Sequence, residues 1–123
     1  MATVLIVDDY AAIRTAIRAR FSTCAELKVC GEAVDGMDAI DKARELKPDL
    51  ILLDMSMPRM NGIEAASVLK GLLPEVRIIA FTMYSEALRD SLAASVGIDA
   101  VLAKPDGIGR LIDCARALLH STS

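Results

Sequence analysis

The sequence predicts a doubly wound α/β fold, a five-stranded parallel sheet with helices on both faces, from three observations. Short aliphatic runs recur at Thr3–Val7, Leu27–Ala33, Leu50–Leu53, Arg77–Phe81 and Ala100–Ala103. Each is followed by a stretch with apolar residues at helical spacing. The runs are continuous rather than alternating, as in strands buried on both faces, and strand–helix alternation implies right-handed parallel crossovers.

Each element has its own signal. The first run ends in the acidic pair Asp8-Asp9, and the helix after it carries Ile13, Ala16, Ile17 and Phe21 at i, i+3 and i+4 spacing. The second run leads to a helix with Ile40, Ala43 and Leu46, stopped by Lys47-Pro48-Asp49. The third runs into Asp54 and, past Pro58, into a helix from about Gly62 to Gly71 that is apolar over more of its circumference and closes at Leu73-Pro74. A fourth helix is expected from about Ser85 to Ser95, with Leu88 and Leu92 among small Ala and Ser residues, ended by Val96-Gly97. The last helix has the clearest stripe: Ile108, Leu111, Ile112, Ala115, Leu118 and Leu119.

With 123 residues and 54% hydrophobic content, the chain suits one domain spanning 1–123. Such a domain buries roughly two-thirds of its unfolded surface. Two Tyr, two Phe and no Trp leave few stacking platforms for bases. A net charge of −3 is the wrong sign for wrapping a phosphate backbone, so no direct nucleic-acid binding is expected of this domain. Cys24, Cys30 and Cys114 lack zinc or disulfide spacing and read as reduced thiols. The apolar run Val4 to Val7 is far too short for a signal peptide or membrane span, which points to the cytoplasm and to no membrane partner.

In open parallel sheets the site lies beyond the carboxyl ends of the strands. There the sequence places Asp8 and Asp9 after strand one, Asp54 after strand three, Thr82 after strand four, and Lys104-Pro105 after strand five. Three converging carboxylates repel unless a cation neutralises them. An all-oxygen donor set with no His or Cys nearby favours Mg²⁺. Lys104 and Thr82 supply a point charge and a hydrogen bond, what an incoming phosphoryl group needs, and Asp54 is then the nucleophile.

Taken singly, each residue has a plainer reading. Asp9 reads as an N-cap before the first helix, Lys104 as a solvated lysine and Thr82 as a strand-end hydroxyl. Their joint occurrence with Asp54 outweighs those readings. His120 reads as a cation at a helix C-terminus. Gly107-Ile108-Gly109 shapes a turn rather than a dinucleotide site. Arg14 and Arg18, one helical turn apart, read most simply as a solvated face.

The set "VDDY", "LLDMSMPRMNG", "AFT" and "AKP", in that order over essentially the whole chain, resembles the receiver domain of two-component response regulators, the CheY-like fold. The stretch "DGMDAIDKARELKPDLILLDMSMPRMNGIEA" is most similar to the NarL/FixJ group, which precedes LuxR-type DNA-binding domains. The resemblance implies a strand order of 2-1-3-4-5. It implies that Asp54 accepts a phosphoryl group from a sensor histidine kinase. Asp9 then binds Mg²⁺ directly, Asp8 helps through water, and Ser56 lends its backbone carbonyl. Lys104 and Thr82 contact the phosphoryl oxygens, with a cis Lys104-Pro105 bond. It further implies a kinase-docking role for the helix that carries Arg14 and Arg18. Catalysis is limited to the domain's own phosphoryl transfer and dephosphorylation.

Two departures concern the switch. Val101 stands where the family usually has an aromatic ring that moves on phosphorylation, and Met83 is bulkier than the small residue usual after Thr82. Tyr84 and Ser56 flank the expected path of a hydrolytic water. Output is expected through helix four, strand five and helix five, toward a DNA-binding effector domain or a phosphorylation-dependent homodimer. The alternative is a degenerate receiver that binds proteins without phosphorylation. An aspartate-nucleophile phosphatase would need a D-x-D motif that "VDDYAA" does not supply. A flavodoxin-like binder would need a phosphate-cradling loop after strand one.

Overall fold

The computed structural model describes residues 2–55, 62–82, 96–103 and 108–120. Its strands are β1 (Ala2–Val7), β2 (Leu27–Ala33), β3 (Leu50–Asp54), β4 (Arg77–Thr82) and β5 (Ala100–Ala103). Its helices are α1 (Ala11–Phe21), α2 (Gly36–Leu46), α3 (Gly62–Leu72) and, after a short 3-10 turn at Ile108–Arg110, α4 (Leu111–His120). The helix expected at 85–95 lies outside the described residues. All neighbouring strands pair in parallel, in the order β2-β1-β3-β4-β5.

Strand side chains alternate between two cores. Leu5, Val7, Ile51, Leu53, Ile78 and Ala80 pack against Ala39, Ile40 and Ala43 of α2 and Ala65, Ala66 and Leu69 of α3. Val4, Ile6, Leu50, Leu52, Ile79 and Phe81 face Ile17 and Phe21 of α1 and Leu111 and Ala115 of α4 on the other side. The period of two along each strand therefore produces the two apolar faces that a three-layer α/β/α sandwich needs. β3, at the centre, is buried throughout. β2 is not: as an edge strand it leaves Lys28 exposed and several residues half-buried. The pairing of β1 with β2 shifts between Val4 and Leu5, so that Cys30 is bulged out of the ladder.

The turns that aim the carboxyl ends of the strands are chemically specified. Asp35 is the N-cap of α2 and accepts from the Asp38 amide at 2.8 Å, while Asp38 Oδ2 accepts from the Val34 amide at 3.0 Å, a reciprocal cap. α2 ends at Lys47, a non-glycine residue in the left-handed region at φ 48, whose amide bonds the Ala43 carbonyl. Pro48 then prevents the helix from continuing. Where α3 begins, Gly62 lies so close to β3 that a Cβ there would meet the Met55 Cα at 2.6 Å. Only a residue without a side chain lets the two segments approach.

Candidate functional site: an acidic cluster at the carboxyl ends of β1 and β3

Val7 and Leu53 are paired in register, so the residues that follow them, Asp8 and Asp54, emerge side by side from adjacent strands. Asp54 is the last residue of β3 rather than the first of a loop, and only 2% of it is exposed. Asp8 is 1% exposed, and Asp9 is exposed to solvent. One carboxylate oxygen from each of the three lies within 4.8 Å of the others. Two buried acids and one at the rim make a cup that opens outward through Asp9.

The cup is held by its backbone. The Asp8 amide donates to the Ala33 carbonyl of β2 at 3.1 Å, and Asp8 Oδ1 accepts from the Tyr10 amide at 2.9 Å, folding the chain toward α1. The Asp8 carbonyl accepts from Arg14 Nη1 at 2.7 Å. Asp9 does not cap α1. Tyr10 occupies the N-cap position without a side-chain bond to the helix. The carboxylate of Asp9 is therefore not committed to helix amides, which removes the plainer reading of the acidic pair.

Arg14 and Arg18 do more than line a solvated face, although only Arg14 is half-buried and Arg18 stays exposed. Both reach across to Glu32 on β2, Arg14 Nε to Oε1 at 2.9 Å and Arg18 Nε to Oε2 at 2.7 Å. The Arg18 hydrogen bond, seconded by Arg14, holds the Glu32 carboxyl below the usual glutamate range. His120 ends α4 as expected, and its Nε2 lies 3.1 Å from Glu26 Oε2. Cys24, Cys30 and Cys114 are free thiols.

Of the other expected site residues, Thr82 closes β4 opposite Ala103 of β5, so its backbone stands on the same sheet edge, one position beyond the pairing of Asp54 with Phe81. Val101 is half-buried, paired with Ala80 and packed against the core under α2 and α3. Ser56, Met83, Tyr84, Lys104 and Pro105 lie outside the described residues, as does the Lys104-Pro105 bond. The roomier open cleft, about 1070 Å³, is at the opposite end of the sheet, lined by residues such as Glu26, Asp49, Lys70 and Arg77, and contains none of these groups. We place the site at the acidic cup because that is where the chemistry converges.

Among the described residues no helix is long and apolar enough to cross a membrane. The chain matches the response regulator receiver domain over residues 4–116. It is 38% identical over 120 residues to the response regulator protein VraR of Staphylococcus epidermidis, covering 98% of this chain and 57% of that protein. The chain thus spans little more than half the length of that relative. A two-component response regulator of the LuxR family from Aurantimonas superposes with a TM-score of 0.88 at 27% identity, covering 98% of this chain and 86% of that one. The isolated receiver domain of RcsB from Salmonella enterica, solved with the phosphomimetic BeF3⁻, gives 0.86 at 25% identity over 97% of this chain and 88% of that one. With the strand order, the acidic cup and these matches in agreement, the chain belongs to the two-component response regulators as a CheY-like receiver domain, similar to those of the LuxR group.

Proposed function

We propose that this receiver is a phosphoacceptor: Asp54 takes a phosphoryl group from a phosphohistidine of a sensor kinase, and the acidic cup holds Mg²⁺ while it does so. The observation that carries the reading is the gathering of Asp8, Asp9 and Asp54 within 4.8 Å at the ends of adjacent strands, two of them buried. The donor set fits the ion, since three carboxylates offer hard oxygens and the exposed side of Asp9 leaves room for water ligands. Asp8, Asp9 and Asp54, with the Ser56 carbonyl, would hold it. When bound, the ion neutralises charge on the phosphoryl oxygens.

The chain's own residues do the rest. An Asp54 carboxylate oxygen attacks phosphorus in line with the phosphorus–nitrogen bond, which breaks, and its electrons return to the imidazole of the donor. Burial fixes the Asp54 carboxylate in one orientation and limits the entropy lost on reaching the transition state. Lys104 and Thr82 are assigned to the phosphoryl oxygens, where charge develops. The domain then performs no chemistry beyond its own phosphorylation and dephosphorylation. Tyr84 is assigned to shielding the acyl phosphate from water.

For output, similarity to the LuxR group supports transcription regulation through a DNA-binding effector, with a phosphorylation-dependent homodimer as the intermediate and the cytoplasm as the compartment. Val101 cannot report phosphorylation by swinging a ring, so the switch is assigned to Thr82, Met83, Tyr84 and Pro105 together with Val101, with output through helix four, strand five and helix five. The test is intact mass after incubation with a small phosphodonor. A single phosphoryl adduct that disappears in metal-free buffer supports the reading. Its absence in a protein that binds Mg²⁺ overturns the reading.

A further inference from the structure

The Arg14 guanidinium joins three elements. It rises from the first turn of α1, donates from Nε to Glu32 on β2, and donates from Nη1 to the Asp8 carbonyl at the end of β1. Its side chain is 16% exposed, whereas that of Arg18, which takes the other Glu32 oxygen, is 49% exposed and makes no hydrogen bond to Asp8 or Asp9. The Asp8 carbonyl belongs to the peptide plane that carries Asp9. With the Asp8 amide bonded to Ala33 and its carbonyl bonded to Arg14, the planes on both sides of Asp8 are anchored. That fixes where the backbone of Asp9 leaves β1 relative to Asp54.

We propose that Arg14 is a positioning residue for metal binding: oriented by Glu32, it fixes the Asp8–Asp9 peptide plane and so sets the spacing of the three carboxylates. The inference rests on the metal reading given above. A guanidinium is required because its donors point in fixed, different directions, and one fork serves Glu32 and the Asp8 carbonyl together. The plainer reading, a salt bridge that only pins α1 to β2, describes Arg18 equally well, and that makes Arg18 the internal control.

The experiment is calorimetric titration of the whole chain with Mg²⁺ for the wild type, Arg14→Ala, Arg14→Lys and Arg18→Ala, with metal-free thermal melts of each. Loss of a partner behind a metal ligand typically weakens affinity roughly 10- to 100-fold, and that rise in Kd is expected for both Arg14 variants. Arg18→Ala should stay within about twofold, as for an exposed ion pair. If Arg14→Ala does not melt cooperatively, Arg14→Lys decides. Wild-type affinity in Arg14→Lys, or equal weakening in Arg18→Ala, overturns the inference alone. A wild-type chain that takes up no Mg²⁺ overturns the metal reading and this inference with it.

Discussion

Asp54 pairs in register with Phe81, and each is only 2% exposed, so the proposed phosphoacceptor stands against a buried aromatic strand end rather than in open solvent. Two further carboxylates lie within 4.8 Å of it. Like charges held at that separation repel and make the metal-free site a local cost to folding. Asp54→Asn should therefore melt higher than the wild type in metal-free buffer by a few degrees, about 1 kcal/mol. Adding Mg²⁺ should raise the wild type more than the variant, because only the wild type keeps the full donor set. Thermal melts with and without metal check both signs.

Gly62 and Gly71, at the two ends of α3, should respond oppositely to alanine. A Cβ on Gly62 would lie 2.5 Å from Met55 Sδ and 2.6 Å from its Cα, so Gly62→Ala must displace backbone next to the site. The expected loss is about 1–3 kcal/mol by urea denaturation. A Cβ on Gly71 would meet nothing within 4 Å, and Gly71→Ala should gain roughly 0.5–1 kcal/mol from helix propensity.

Asp99 ties the entry of β5 to two other elements. It accepts from the Ile78 amide at 2.9 Å and lies 3.3 Å from Arg77 Nη1 and 3.6 Å from Lys70 Nζ. Asp99→Ala leaves a strand amide without its acceptor and should cost about 1–3 kcal/mol. Asp99→Asn keeps an acceptor for Ile78 and should cost less, which denaturant midpoints will resolve.

Glu32 predicts an acid dependence. Its carboxyl is held below its ordinary value of 4.5, first by the Arg18 hydrogen bond and then by Arg14. A folded pKa below the unfolded one means that the unfolded chain binds the proton more readily. Stability from this group is therefore complete above 4.5 and fades as pH falls through the lower folded value. The stability gap between wild type and Glu32→Gln should be steady at neutral pH and close under acid. With the Glu32 side chain 32% exposed, solvent screening keeps the gap to about 1 kcal/mol or less.

Much of this molecule is legible in its sequence, for definable reasons. β1 and β3 announce themselves because central strands are apolar on both faces, and the acids that interrupt them mark the sheet edge where ligands bind. Periodicity errs where a helix face is narrow. Ala16, expected on the buried stripe of α1, is exposed, since Ile13, Ile17 and Phe21 at spacings of four already fill the contact. Leu46, in the last turn of α2, is 36% exposed and has its Cδ1 near Gly31 at the sheet edge.

What escaped the sequence is pairing between elements distant along the chain. Nothing near Glu32 signals that an edge strand would recruit Arg14 and Arg18 from α1 and so connect to the Asp8 carbonyl. The start of α2, by contrast, is encoded locally: Asp35, an N-cap residue type directly before the helix, accepts from the Asp38 amide.

Phosphorylation at Asp54 can be read out by reducing the phosphorylated protein with borohydride and mapping the product by peptide mass spectrometry. Reduction converts an aspartyl phosphate to homoserine. Homoserine is expected at position 54 alone, formed only when Mg²⁺ was present during phosphorylation. Homoserine at Asp8 or Asp9, or an unmodified Asp54 in protein that carries the phosphoryl mass, would contradict phosphorylation at Asp54.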